Sequence, residues 1–131
     1  KSKANSNDIF TQPSILIIED NPDNMITIKA ILKGNYNIWE AKDGEEGLKF
    51  IEINKPDLIL LDMSLPDISG EEIVRILKTD DNTNNIPIIA VTAQAMIGDR
   101  EIFINLGCDN YISKPIDKDE LNNMVAKYLE N

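Results

Sequence analysis

Three stretches of this chain, Ile15-Leu16-Ile17-Ile18, Leu58-Ile59-Leu60-Leu61 and Ile88-Ile89-Ala90-Val91, are apolar at every position. A strand with one wet face alternates polar and apolar residues; an unbroken apolar run of this length suits a strand covered by helices on both sides. The intervening segments carry apolar residues at helical spacing. Met25, Ile28 and Leu32 follow the cap and first-turn proline Asn21-Pro22, and Leu48 and Ile51 share one face of Gly44 to Asn54, which Lys55-Pro56 ends. Ile73, Ile76 and Leu77 are expected to face a core from Glu71 to Thr79. Leu121, Met124, Val125, Tyr128 and Leu129 form one stripe after the capping box Asp117-x-x-Glu120. Weaker strands at Asn37 to Ala41 and Tyr111 to Ser113, and a helix near Gly98 to Leu106, complete five strand-helix repeats. That alternation predicts an α/β, doubly wound parallel sheet with helices on both faces.

Size and charge narrow what such a sheet can serve. With 131 residues, 42% of them apolar, the chain suits one domain around one core. Thirteen basic against twenty-three acidic residues leave a net charge of -10, which repels nucleic-acid phosphates and acidic membrane surfaces. The single Cys108 has no partner for an internal disulfide and reads as a small core residue beside Gly107. No apolar stretch approaches the length of a membrane span, and a cytoplasmic location is expected. Lys1 to Pro13 is polar and reads as a linker or disordered tail ahead of a domain over residues 14–131.

The polar residues that close the apolar runs carry the chemistry. Glu19-Asp20 follows the first run, Asp62 the second and Thr92 the third, and Lys114 follows the strand at Tyr111. Open parallel sheets bind ligands at the carboxyl ends of their strands where the strand order reverses, between strands one and three in the order 2-1-3-4-5. There the three carboxylates would crowd, and like charges about 4 Å apart repel by roughly 4 kcal/mol at an effective dielectric near 20. A hard divalent cation relieves that repulsion, and Mg²⁺ commonly takes one or two carboxylates with waters and phosphate oxygens. Asp20 and Asp62 fit as direct ligands, with Glu19 holding a bound water.

In combination the motifs resemble a known family. Ile17-Ile18-Glu19-Asp20-Asn21-Pro22, Leu60-Leu61-Asp62-Met63-Ser64-Leu65-Pro66-Asp67-Ile68-Ser69-Gly70, Val91-Thr92-Ala93 and Tyr111-Ile112-Ser113-Lys114-Pro115 are similar to the marks of receiver domains, found in response regulators and hybrid histidine kinases. The similarity spans Ser14 to Leu129. It implies a flavodoxin-like (βα)5 fold, free-standing or part of a hybrid kinase, in which Asp62 takes a phosphoryl group from a phosphohistidine. Implied with it are Mg²⁺, with Mn²⁺ as the alternative, on Glu19, Asp20, Asp62 and the carbonyl of Met63, and phosphoryl oxygens held by Thr92 and Lys114. A cis Lys114-Pro115 peptide would aim the lysine. Thr92 and Tyr111 would switch the surface of the fourth helix, fifth strand and fifth helix. The implied partners are a histidine kinase or histidine phosphotransfer domain, a downstream output domain or protein, and a second copy on phosphorylation, with no direct nucleic-acid or membrane contact. The role is that of a signalling phosphoacceptor with slow self-dephosphorylation, not of an enzyme.

Taken singly, each residue has a plainer account: an acid at a helix start, a strand-end cap, a solvated lysine. Independent plain causes do not place all of them at the ends of successive strands. Other functions fit less well. The acidic loop Glu19 to Asp23 would repel a flavin phosphate, a haloacid-dehalogenase-type phosphatase needs an Asp where Ser64 stands, and Asp80-x-Asn82-x-Asn84 lacks the Gly and Glu of a calcium loop at Asn85 and Val91. The remaining alternative is a receiver-like interaction module that works without phosphorylation. Ile104, beside Ile102 and Phe103, is the candidate partner contact on the fourth helix, and Ile26 lies off the main stripe of the first. Ser64 and Gln94 flank the site and are expected to tune the lifetime of an acyl phosphate.

Overall fold

The apolar runs form the middle of a five-stranded parallel sheet in the computed structural model, which describes residues 12–93 and 99–130. The strands are β1 (Ser14–Ile18), β2 (Asn37–Ala41), β3 (Leu58–Asp62), β4 (Ile88–Thr92) and β5 (Asn110–Ser113), in the order β2-β1-β3-β4-β5. The helices are α1 (Pro22–Leu32), α2 (Gly44–Ile53), α3 (Gly70–Lys78), α4 (Asp99–Leu106) and α5 (Lys118–Leu129). Segment 1–11 and Gln94 lie outside the described residues, as does the start expected for the fourth helix at Gly98.

Burial explains why β1, β3 and β4 carry no polar alternation. Their residues divide by pleat between two cores: Leu16, Ile18, Ile59, Leu61, Ile88 and Ala90 pack with Ile51, Ile73, Leu77 and Phe103 of α2, α3 and α4. Ile15, Ile17, Leu58, Leu60, Ile89 and Val91 pack with Met25, Ile28, Leu121 and Val125 of α1 and α5. Each fully buried Ile or Leu contributes about 1.5–3 kcal/mol of transfer free energy, so both faces stabilise the sheet. Edge strand β2 is only partly covered, matching its weaker apolar signal.

Local chemistry sets the helix starts. Asn21, Asp43, Ser69 and Asp117 cap α1, α2, α3 and α5 by accepting the amides of Asn24, Glu46, Glu72 and Glu120. Each cap is worth about 1 kcal/mol. Past the end of α1 the chain turns through Gly34 at φ 98°, a conformation that side chains with a Cβ disfavour. One expectation for a helix face is corrected. Ile76 is 39% exposed, and Val74 takes its place in the core, because the buried arc of α3 is centred on Ile73, Val74 and Leu77. On α4, Phe103 turns inward while Ile102 and Ile104 both face solvent, Ile102 the more exposed.

Leu60, fully buried at the centre of β3, is the sharpest test of this packing. Leu60→Ala is expected to lower the unfolding free energy by about 2–5 kcal/mol in a urea titration, the range for a buried Leu whose cavity relaxes only in part.

Candidate functional site

Parallel pairing brings the polar strand ends together. Ile18 of β1 stands opposite Leu61 of β3, so Glu19 and Asp20 emerge beside Asp62, the last residue of β3. Asp62 in turn lies opposite Val91, and Thr92 opposite Ser113, which brings Thr92 and Lys114 to the same edge. Three backbone bonds hold the exits: Glu19 N donates to Ala41 O at 3.0 Å, Met63 N to Val91 O at 3.0 Å, and Lys114 N to Thr92 O at 2.8 Å. The Lys114-Pro115 peptide is cis.

Side-chain geometry gathers three carboxylates around the Lys114 ammonium at this edge. One carboxylate oxygen from each of Glu19, Asp20 and Asp62 lies within 4.8 Å of the others. Glu19 and Asp62 are buried, each 2% exposed, whereas Asp20 faces solvent. Lys114 Nζ lies 3.4 Å from Glu19 Oε1 and 3.5 Å from Asp62 Oδ1. Asp62 Oδ1 also accepts the Ser64 amide at 3.0 Å. Glu19 is oriented by its other oxygen: Oε2 accepts the Asn21 amide at 3.1 Å, while Oε1 is buried and makes no hydrogen bond among the described residues. Asn21 thereby caps α1 with its side chain and steers Glu19 with its amide.

Three carboxylates and one ammonium leave the cluster two negative charges in excess. The Asp20 carboxyl is held above its ordinary value of 3.8, first by desolvation and then by the neighbouring Asp62 carboxylate. The donor set is all oxygen, which suits a hard divalent ion, and the buried Glu19 Oε1, without a hydrogen bond among the described residues, is faced by the Lys114 ammonium. The residues therefore fit a Mg²⁺-type ion. Met63 follows Asp62 directly and packs against Gly70, where an added Cβ would stand 2.6 Å from Met63 Sδ and 2.9 Å from Met63 Cα. Gly70, the first residue of α3, is thus required by close approach. Thr92 is buried at the end of β4, and Tyr111 is half-buried with its ring centroid 5.5 Å from that of Phe103. Cys108 is buried in the core, its thiol pushed up to about 11 by desolvation.

Two features escaped the sequence reading. The Phe103 ring beside Tyr111 was legible only as an apolar residue on α4. Asp67, one position inside a recognised motif, carries both carboxylate oxygens to backbone amides of α2.

This site, on this sheet order, defines a phosphoacceptor-type signalling module, and the family comparison agrees with it. Residues 15–126 match the family model of the response regulator receiver domain, and the chain belongs to that family. The polar-differentiation response regulator DivK of Brucella anthropi is 41% identical over 117 residues, covering 88% of this chain and 95% of DivK. The receiver domain of sensor histidine kinase PA1611 from Pseudomonas aeruginosa PAO1 superposes with a TM-score of 0.82 at 33% identity, covering 92% of this chain and 100% of that one. That structure has a magnesium ion coordinated in its active-site cleft. The signal receiver domain of a histidine kinase from Syntrophus aciditrophicus superposes with a TM-score of 0.81 at 30% identity, covering 89% of each chain. Among the described residues no helix is long and apolar enough to cross a membrane.

Removing one charge tests the electrostatics. Asp20→Asn is expected to leave the metal-free protein as stable as wild type or up to about 1 kcal/mol more stable, a small gain because water screens an exposed group. Wild type should gain about 2.7 kcal/mol at a Mg²⁺ concentration 100 times its Kd, and the variant much less, in thermal melts with and without Mg²⁺.

Proposed function

We propose that Asp62 accepts a phosphoryl group from a phosphohistidine on a partner protein, with Mg²⁺ in the acidic cluster, and that the domain then signals through α4, β5 and α5. The observation that carries this reading is Asp62 itself. It is buried, anchored by the Ser64 amide, and set 3.5 Å from the Lys114 ammonium inside a cluster of all-oxygen donors. These 131 residues include no His, so the donor imidazole belongs to other residues than these.

In the reaction an oxygen of the Asp62 carboxylate attacks phosphorus. A P–O bond forms as the P–N bond to imidazole breaks, and the electron pair leaves with the ring nitrogen. Charge spreads over the equatorial phosphoryl oxygens in flight, so positioning and positive charge supply most of the catalysis. Lys114 would meet those oxygens, a role supported by its ion pairs with Glu19 and Asp62, which keep it beside the acceptor. The Thr92 hydroxyl is assigned a second oxygen. Glu19, Asp20, Asp62 and the Met63 carbonyl would hold the metal, Mg²⁺ or alternatively Mn²⁺. Bound there, it would neutralise the carboxylates and the incoming phosphoryl charge. The product is a mixed anhydride whose slow hydrolysis returns the domain to rest, a signalling cycle in the cytoplasm.

For the output, Thr92 would move toward the phosphoryl group and Tyr111 would follow inward along Phe103, changing a surface on which Ile102 and Ile104 are exposed. Such a two-state element needs only a local charge to bias it. A histidine kinase or histidine phosphotransfer domain would dock near Ile26, which is 63% exposed on α1 beside the site. The second reading, an interaction module independent of phosphorylation, leaves the cluster of Asp62 and Lys114 unexplained.

Incubation with acetyl phosphate and Mg²⁺ should add one phosphoryl mass to the wild type and none to Asp62→Asn, read by intact mass spectrometry. A wild type that gains no mass, with acetyl phosphate and with a phosphorylated histidine donor alike, rejects this function. With beryllium fluoride and Mg²⁺, backbone NMR shifts are expected from Ile102 to Tyr111, and a spectrum unchanged there rules out the α4-β5-α5 output.

A further inference from the structure

Asp67 lies on the connection between β3 and α3, outside the acidic cluster, and the phosphoacceptor reading gives it no role. It is exposed, yet both its oxygens are engaged: Oδ1 accepts the Gly44 amide and Oδ2 the Glu45 amide, each at 2.9 Å. Those are the first two residues of α2, whose amides have no partner within the helix. The helix already has its own cap, since Asp43 accepts the Glu46 amide at 2.8 Å. Asp67 is therefore a second anion on the same helix start, reaching it from 23 residues away in sequence. Both amides hold its carboxyl below the ordinary carboxylate range, Gly44 foremost.

The two segments it joins both border the site. The connection after β3 carries Met63 and Ser64, whose amide binds Asp62 Oδ1. Lys42 before α2 and Glu46 in its first turn line the cleft that Asp20 and Glu19 also line. The connection is fixed elsewhere by Leu65, which is buried in the core, and by Gly70 packed on Met63. Between Leu65 and Gly70, Asp67 ties it to the opposite rim by hydrogen bonds, next to Ile68, which packs against the core close to Gly44.

We propose that Asp67 is a positioning residue: by clamping the β3–α3 connection to the start of α2, it holds Met63 and Ser64 in place for the metal and phosphoryl group and passes their movement to α2. The inference rests on the phosphoacceptor reading and extends it to a residue that touches neither ligand.

Mg²⁺ titrations followed by calorimetry and by amide NMR, on the 131-residue chain, test it with wild type, Asp67→Ala and Asp67→Asn. Asp67→Ala is expected to weaken Mg²⁺ binding about 10-fold, the lower end for losing a group that orients metal ligands. Asp67→Asn keeps one acceptor and should fall between the two. In wild type the Gly44 and Glu45 amides should shift as Mg²⁺ binds; in Asp67→Ala that response should vanish. A purely structural clamp would lower the melting temperature of Asp67→Ala and leave its Mg²⁺ affinity at the wild-type value, and that result overturns the proposal. If Asp67→Ala does not fold, an Asp67→Asn affinity equal to wild type overturns it. Wild type that binds no Mg²⁺ and gains no phosphoryl mass removes the phosphoacceptor reading first, and the role of Asp67 with it.

Discussion

Everything at the site depends on the parallel pairing of β1 with β3. Ile18 stands opposite Leu61, and one step further along both strands Glu19 and Asp62 leave the sheet side by side. The strand order reverses on either side of this pair, with β2 beyond β1 and β4 beyond β3. The connections consequently diverge and leave a crevice where polar groups can gather at the strands' carboxyl ends. A slip of one residue in either strand would exchange the two cores, because alternate residues of β1 and β3 belong to opposite faces. The buried aliphatic residues thus hold the acids in register, at the cost of crowding them.

That crowding makes the edge responsive. Two buried carboxylates, an exposed third and one ammonium form a cluster whose charge is unbalanced by two. A divalent cation would relieve it, and a phosphoryl group would change it again. Glu19 and Asp62 are held by backbone amides, so their orientation does not depend on an ion arriving first. Asp20, exposed and raised in pKa chiefly by desolvation, is the adaptable member. Donor groups organised before the ligand binds lose less entropy and reorganisation on binding, the general advantage of a preorganised site.

Two sets of contacts lead away from this edge. Toward β5, the Lys114 amide is bonded to Thr92 O, and the Tyr111 ring lies against Phe103 of α4. Toward α2, the β3–α3 connection is tied through Asp67 to the Gly44 and Glu45 amides. The first includes ring packing between Phe103 and Tyr111. The second consists of two hydrogen bonds to a helix start.

Much of this was legible along the chain because it depends on near neighbours. The unbroken apolar runs, the caps at Asn21 and Asp117 and the stripe on α5 all predicted the element that formed, since helical and strand periodicities are properties of consecutive residues. The oxygen-rich donor set and the acidic excess were likewise present before folding. Ile76 shows the limit: spacing alone placed it in the core, but the way α3 lies on the sheet turned Val74 inward in its place. The same holds for the distance from Lys114 to Asp62, for Phe103 against Tyr111, and for Asp67 reaching α2. These contacts join residues far apart in sequence, and only the packing of both cores around one register decides how close they come.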